Sequence, residues 1–291
     1  MVELRYESPK TIESATKLLD LEGPSAKIFA GGTDLLVQIN EELIEPPGML
    51  VDIKQIPQTR AVEFNVDQVS IGAAVTGAEL GENERLKSMW PGVVEAVELI
   101  GSAQVQGRAT IGGNLCNASP AADSVPALIA ANAKAMIAGP GGPREIPIED
   151  ISVGPGKTSL RQGEFVVSIL LPLPDKASGD AYLRFIPRTE MDIAVVGAGA
   201  SISLNDDGTC RDARLALGAV ASTPLLVDAA SEILVGNRLD DEVLARLAKS
   251  AAAACSPIDD KRGTIEFRRK VAGVLACRVI EKAWHRAEKN Q

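Results

Sequence analysis

Apolar and polar positions alternate along this chain in two rhythms, one near the helical repeat of about 3.6 and one near the strand repeat of about 2. Ile12, Ala15, Leu18 and Leu19 share a helical face behind Ser8-Pro9, which predicts a capped first helix with proline at its first position. Lys27-Ile28-Phe29-Ala30 and Met49 to Ile53 read as short strands. Between them Leu35, Leu36 and Ile39 predict a helix over Thr33 to Asn40, and Pro46-Pro47-Gly48 marks a turn. A second α/β lobe is predicted from Ala61 to about Leu173, with strands at Gln68 to Val75, Lys134 to Ala138 and Phe165 to Leu170, and helices over Val93 to Ile100 and Val125 to Asn132. Pro172-Leu173-Pro174-Asp175 reads as a linker, because paired prolines stop regular structure.

Beyond the linker the rhythm changes. Ala181 to Ile186, Ile193 to Leu204 and Arg211 to Val220 read as three successive strands, with Asn205-Asp206-Asp207-Gly208 as the hairpin turn between the last two. Two or three helices follow. Asp240 to Cys255 and Thr264 to Ala287 bracket Ser256-Pro257, and the last carries Ile265, Val271, Val274, Leu275 and Val279 on one broad face. The expected fold class is α+β: a two-lobed α/β domain over residues 1–173, with lobes at about 1–55 and 60–173, then a C-terminal α+β domain over 178–291 with a three-stranded sheet and helices.

Two glycine-bearing stretches about eighty residues apart interrupt this pattern. They are Ala30-Gly31-Gly32-Thr33-Asp34-Leu35 and Thr110-Ile111-Gly112-Gly113-Asn114-Leu115-Cys116-Asn117-Ala118-Ser119-Pro120. Bare backbone beside hydroxyl and amide groups can wrap an anion with main-chain N–H donors. The first stretch falls at a strand-to-helix turn, where free helical N–H groups and the positive end of the helix dipole converge, with Thr33 as cap and hydroxyl donor. The same residues also suit a plain tight turn capped by Thr33 or Asp34. The second stretch has only Ile111 and Leu115 as apolar anchors before Asp123-Ser124-Val125-Pro126 opens an apolar run. It is more naturally a ligand cradle, with Asp123 accepting from a sugar hydroxyl, than the alternative of a surface loop ending in an Asp-capped helix. Together the stretches suit one extended nucleotide. A Cβ branch at Gly32 or Gly113 is then expected to block diphosphate approach while leaving the chain folded.

Other chemistries are excluded by counting. A P-loop, G-x-x-x-x-G-K-S/T, ending at Gly156-Lys157-Thr158 would need glycine at position 151, which is Ile151. Gly197 and Gly199 begin a dinucleotide fingerprint that ends wrongly at Ile202. Cys116, Cys210, Cys255 and Cys277 are scattered with no C-x-x-C pair, so they read as reduced thiols and support neither an iron–sulfur nor a zinc site. Cys116 fits a small filler or a residue near the ligand. The single histidine, His285, stands near the end of the chain, which argues against a Ser-His-Asp set. A formal net charge of −9 with two Trp, two Tyr and five Phe lacks the footprint of a nucleic-acid binder. With 291 residues and 45% hydrophobic content the chain can fill two or three cores. No run reaches the ~18 apolar residues of a spanning helix, and Met1-Val2-Glu3-Leu4-Arg5 lacks a signal pattern, so a cytoplasmic protein without a transmembrane segment is expected.

The two glycine stretches, the run Pro120-Ala121-Ala122-Asp123, then Gly154-Pro155-Gly156-Lys157-Thr158, Arg188 and Asp192-Ile193-Ala194, in this order, resemble the FAD-binding medium subunit of molybdenum hydroxylases, which include carbon monoxide dehydrogenase and xanthine dehydrogenase. The resemblance runs from about residue 2 to the end. It implies that residues 1–173 are an FAD-binding domain and residues 178–291 a cap. Ala30, Gly31, Gly32, Thr33 and Asp34 would clasp the FAD diphosphate together with Thr110, Ile111, Gly112, Gly113 and Asn114, while Asp123 meets the ribityl or ribose portion. Tyr182 would pack on the isoalloxazine ring, though it also fits an ordinary half-buried strand tyrosine. Arg184 stands where many relatives have lysine, and a planar guanidinium is not equivalent to an ammonium. The resemblance further implies non-covalent FAD, no catalytic side chain, and no metal on this chain. Its partners would be a large molybdenum-containing subunit and a small subunit with [2Fe-2S] clusters, in a dimer of heterotrimers. Electrons would pass through the clusters to FAD and on to NAD+, oxygen or another acceptor. The residues also leave open a stand-alone FAD-dependent oxidase or reductase, and a non-catalytic nucleotide-binding module.

Overall fold

A computed structural model describes residues 4–188 and 191–291, so Met1 to Glu3 of the N-terminal reading lie outside the described residues. Strands β1 (Arg5–Glu7), β2 (Ala26–Phe29) and β3 (Met49–Asp52) form a parallel sheet in the order β1-β3-β2. Parallel neighbours need crossovers. Helices α1 (Ile12–Glu22) and α2 (Leu35–Asn40) supply them. The first helix begins at Ile12 rather than at Pro9, because the Thr11 hydroxyl accepts the Ser14 N–H at 3.2 Å and so caps it in place of Ser8.

The second lobe is built on an antiparallel sheet. Its strands are β4 (Val62–Phe64), β5 (Gln68–Gly72), β6 (Lys134–Ala138) and β7 (Arg144–Pro147); after a small hairpin of β8 (Ser152–Gly154) and β9 (Lys157–Thr158), β10 (Phe165–Pro172) completes it in the order β4-β5-β10-β6-β7. The central position of β10 explains its unbroken apolar run, because both faces are covered and Ile169 pairs with Ile71 on one side and Ala135 on the other. Six helices accompany this sheet: α3 (Gly77–Gly81), α4 (Glu84–Met89), α5 (Pro91–Glu98), α6 (Ala103–Gln106), α7 (Ile111–Cys116) and α8 (Ser124–Ala130). Thr76 and Glu79 form a reciprocal capping box on α3, and Pro91 opens α5 where its missing N–H costs nothing.

The C-terminal sheet holds the three expected strands, β11 (Ser178–Phe185), β12 (Val196–Leu204) and β13 (Cys210–Gly218), and gains a fourth, the two-residue β14 (Leu225–Leu226). Helices α9 (Asp228–Leu234), α10 (Asp241–Ala254) and α11 (Ile265–Lys289) follow, the last two capped by Asp240 and Thr264. One apolar core joins the two N-terminal sheets; a second lies between the C-terminal sheet and α10 and α11.

Charged groups tie the two cores together. Glu95 on α5 accepts from Lys282 Nζ at 2.7 Å, from Arg286, and from the Tyr182 N–H at 3.2 Å. Asp180 of β11 accepts the Val93 N–H at 3.1 Å, while its second oxygen has no partner among the described residues. Burial pushes Asp180 up to about 7, against the amides of Gly92 and Val93 and the charge of Arg286. Its folded value therefore lies above its ordinary one, so its contribution to stability is complete below about pH 4 and is lost as pH rises through 7. Asp180→Asn should accordingly gain on the wild type as pH goes from 5 to 8, as read by urea unfolding; an unchanged difference would contradict it.

Candidate functional site

Ligands of parallel sheets gather at the carboxyl ends of the strands. Here β2 ends at Phe29, and Gly31-Gly32 turns the chain into α2 beside a cavity of about 1010 Å³ that separates the two N-terminal lobes. Gly31 is needed for close approach, since a Cβ there would stand 2.2 Å from the Arg108 carbonyl oxygen of the second lobe. Gly32 has φ +76°, and its Cβ would meet the Phe29 ring at 2.3 Å. Both glycines answer to protein neighbours first. At the second stretch a Cβ on Gly113 would meet the Thr110 hydroxyl at 2.8 Å, so a branch at Gly32 or Gly113, expected to block the diphosphate in a chain that stays folded, also meets a protein side chain that must shift.

The two stretches differ in what they offer. The N–H groups of Gly31, Gly32, Thr33, Asp34 and Leu35 donate to no acceptor among the described residues. Helix α2 starts at Leu35, two residues later than Thr33, and Asp34 in the cap position makes no side-chain cap bond. A run of free main-chain donors therefore lines the cavity. The second stretch is not an open loop but helix α7, whose cap Thr110 accepts the Gly113 N–H at 3.1 Å. Gly112 N–H donates to Ala73 O at 3.0 Å, Ile111 N–H to Val75 O at 3.3 Å and Asn114 N–H to Thr110 O at 2.9 Å. Its amide hydrogens are already used, because the threonine hydroxyl and the chain after β5 reach them first. What remains is polar side chains: Asn114, whose Oδ1 accepts from Ser124 Oγ at 2.6 Å, and Asn117, which accepts from Gln38 at 3.2 Å and so links the two turns.

Of the residues singled out in the sequence, Ala30, Gly31, Gly32, Thr33, Asp34, Thr110, Gly112, Gly113 and Asn114 line the cavity. Ile111 does not; it is fully buried in the core. Asp123, Tyr182 and Arg184 meet one another instead. The Tyr182 hydroxyl donates to Asp123 Oδ1 at 2.8 Å, and Arg184 Nη1 to Asp123 Oδ2 at 2.7 Å. Asp123 thus has both oxygens occupied by protein. Tyr182, 2% exposed, presents no face to a ligand. Burial pushes Asp123 up to about 6 against the pull of Arg184 and Tyr182, and pushes the Tyr182 phenol well above its usual range.

The sequence reading missed Lys27, Gln38, Leu43 and Ile44, and the Leu160 to Phe165 segment, all of which line the cavity. The one readable signal was Leu43-Ile44, an apolar pair set in an acidic loop. Gly156 and Thr158 of the small hairpin also line it, held there by the Gly156 N–H donating to Ala118 O at 3.0 Å. Cys116 lines the wall, but burial pushes its thiol up to about 12, so it supplies no thiolate. Among the described residues no group of histidine, cysteine or carboxylates could hold a metal, and no helix is long and apolar enough to cross a membrane. The site therefore suits an extended anionic nucleotide held by backbone donors, the protein supplying position rather than acid–base chemistry.

Known proteins match this arrangement. A model for the FAD binding domain in molybdopterin dehydrogenase matches residues 2–174, and one for the CO dehydrogenase flavoprotein C-terminal domain matches residues 181–283. The chain is 31% identical over 281 residues to the carbon monoxide dehydrogenase medium chain of Hydrogenophaga pseudoflava, covering 97% of each. It is 31% identical over 280 residues to a putative xanthine dehydrogenase FAD-binding subunit of Escherichia coli (strain K12), covering 96% of this chain and 95% of that one. Carbon monoxide dehydrogenase from Hydrogenophaga pseudoflava superposes with a TM-score of 0.93 at 32% identity over 98% of each chain, and quinoline 2-oxidoreductase from Pseudomonas putida 86 with 0.89 at 28% over 98% of each.

Proposed function

This chain belongs to the family of FAD-binding subunits of molybdenum hydroxylases, and on that premise we propose that it holds FAD non-covalently in the cavity between its N-terminal lobes, as the flavin subunit of a multi-subunit oxidoreductase. The observation that carries the reading is the run of five main-chain N–H groups, Gly31 to Leu35, left without acceptors among the described residues at the carboxyl end of the parallel sheet. A diphosphate satisfies such donors, and a cavity of about 1010 Å³ has room for a dinucleotide. Bound there, FAD would supply the electron-accepting and electron-donating chemistry that no side chain of this protein provides.

The residues divide the work. Gly31, Gly32 and Thr33 would donate to the diphosphate. Asn114 and Asn117 offer carboxamides along the facing wall, and Leu43, Ile44 and Leu160 offer apolar surface that keeps water from the ligand's flanks. Asp123, Tyr182 and Arg184 would act on the ring portion only if their mutual bonds opened. In the proposed complex the molybdenum cofactor sits on a large partner and [2Fe-2S] clusters on a small one, assembled as a dimer of heterotrimers in the cytoplasm, with NAD+, oxygen or another carrier as acceptor.

The test is direct. The purified chain, stripped of flavin and titrated with FAD, should bind one equivalent in competition with ADP, and acid precipitation should release all of the yellow colour into the supernatant. Colour that stays with the precipitate would refute non-covalent binding. No uptake would refute the flavin assignment itself.

A further inference from the structure

We infer that Lys54 is the positioning residue of the anion-holding turn: its ammonium fixes the Ala30–Gly31 peptide so that the Gly31 N–H is presented to the ligand. This rests on the functional reading above. Lys54 follows β3 and does not itself line the cavity. Its Nζ donates to the Ala30 carbonyl at 2.8 Å, pairs with Asp52 Oδ1 at 2.8 Å, and lies 4.2 Å from the centre of the Phe29 ring. Phe29 is the ring that fills the space beside Gly32. Asp52 is held in turn by the Lys54 N–H at 2.9 Å and by the Tyr6 hydroxyl. One ammonium thus joins the ends of all three parallel strands, β1 through Tyr6 and Asp52, β2 through Phe29 and Ala30, and β3 directly.

The consequence follows from peptide geometry. The Ala30 carbonyl and the Gly31 N–H belong to a single planar trans unit and point in opposite directions. A donor that anchors the carbonyl therefore turns the N–H away from Lys54 and holds it there. It also polarises the amide, which strengthens its N–H as a donor. Among the described residues the Gly31 N–H has no acceptor, so no other hydrogen bond orients it. The alternative, that Lys54 attracts the diphosphate by bulk charge, is the weaker effect, because Asp52 neutralises the ammonium at contact distance. Asp52 stays ionised for that role: burial opposes its charge, but hydrogen bonds from Lys54 and Tyr6 outweigh burial and hold its carboxyl below the usual range.

The full chain and its Lys54→Arg, Lys54→Gln and Lys54→Met variants are titrated with FAD and separately with ADP, alongside unfolding midpoints of the flavin-free proteins. Lys54→Met should weaken both ligands by about tenfold, the loss of one charge-assisted bond to the turn. Lys54→Gln, which keeps a neutral donor, should lose less, and Lys54→Arg should restore binding. The backbone amide resonance of Gly31 should move in the Met variant and not in the Arg variant. Unchanged FAD and ADP affinity in Lys54→Met overturns the inference, as does a loss that tracks the unfolding midpoint and is not rescued by arginine. Should the Met variant not fold, the Gln and Arg pair reads the same contrast. A wild type that binds neither ligand refutes the functional reading and this inference together, whereas a wild type that binds FAD beside an unaltered Lys54→Met refutes this inference alone.

Discussion

Gly31→Val should cost the protein about 3 kcal/mol of folding stability and weaken FAD by about a hundredfold or more. The new Cβ would stand 2.2 Å from the Arg108 carbonyl oxygen and 3.1 Å from the Ala109 Cα. Both are backbone atoms, so no side-chain rotation relieves the overlap and the two lobes must separate at this point. Separation tilts the turn whose free amides face the cavity, and losing two hydrogen bonds to a charged ligand accounts for the affinity change. Gly141, whose Cβ would meet nothing within 4 Å, is the control; Gly141→Val should fall within about 0.5 kcal/mol of wild type. Urea unfolding and FAD titration of the three proteins read the result. A Gly31→Val protein with wild-type stability would mean that the lobes do not close on each other here.

Asp123→Ala should destabilise the flavin-free protein by about 3–5 kcal/mol. The change removes a carboxylate whose oxygens are held by Tyr182 and Arg184, and leaves a guanidinium with 6% exposed side chain and no counter-charge among the described residues. Arg184 Nε already lacks a partner, so the orphaned charge has little to turn to. The effect belongs to the fold before any ligand is present. Asp123→Asn, which still accepts from the tyrosine, should lose less. If instead Asp123→Ala leaves the flavin-free protein intact and reduces only FAD affinity, the carboxylate is a ligand contact that opens from this network on binding.

These two cases mark where the residues were legible and where they were not. The apolar run of β10, the period-two pattern of β12 and the spacing of Leu275 and Val279 on α11 carry their own secondary structure, whereas Val274, expected on the same face of α11, stands exposed. Helix α7 falls where the small polar residues predict a loop. Its two glycines and Asn114 are poor helix formers, and what holds it is the Thr110 cap together with carbonyls of Ala73 and Val75, supplied by chain about forty residues earlier. Strand β14 has no counterpart in the sequence reading, and α9 answers to the third of the two or three helices expected, left without a position, because a two-residue strand has no period and a seven-residue helix has little. The amide donors of the first turn were anticipated, and those of the second were not available, for a reason that no local pattern contains.

By itself the sequence determined an α+β chain with two glycine-bearing turns, no metal-ligand spacing, no nucleophile–histidine set and a family resemblance strong enough to name a cofactor. Local backbone preference and hydrophobic period are properties of neighbouring residues, and they survive without knowledge of the fold. The tertiary structure alone decided which turn keeps its N–H groups free, that Asp123 answers to Tyr182 and Arg184 across 59 and 61 residues, and that Lys54 reaches back 24 residues to the Ala30 carbonyl. Those are pairings between groups brought together by strand order and lobe closure. A hydrogen bond depends on distances of a few tenths of an ångström, and only the packed chain sets them.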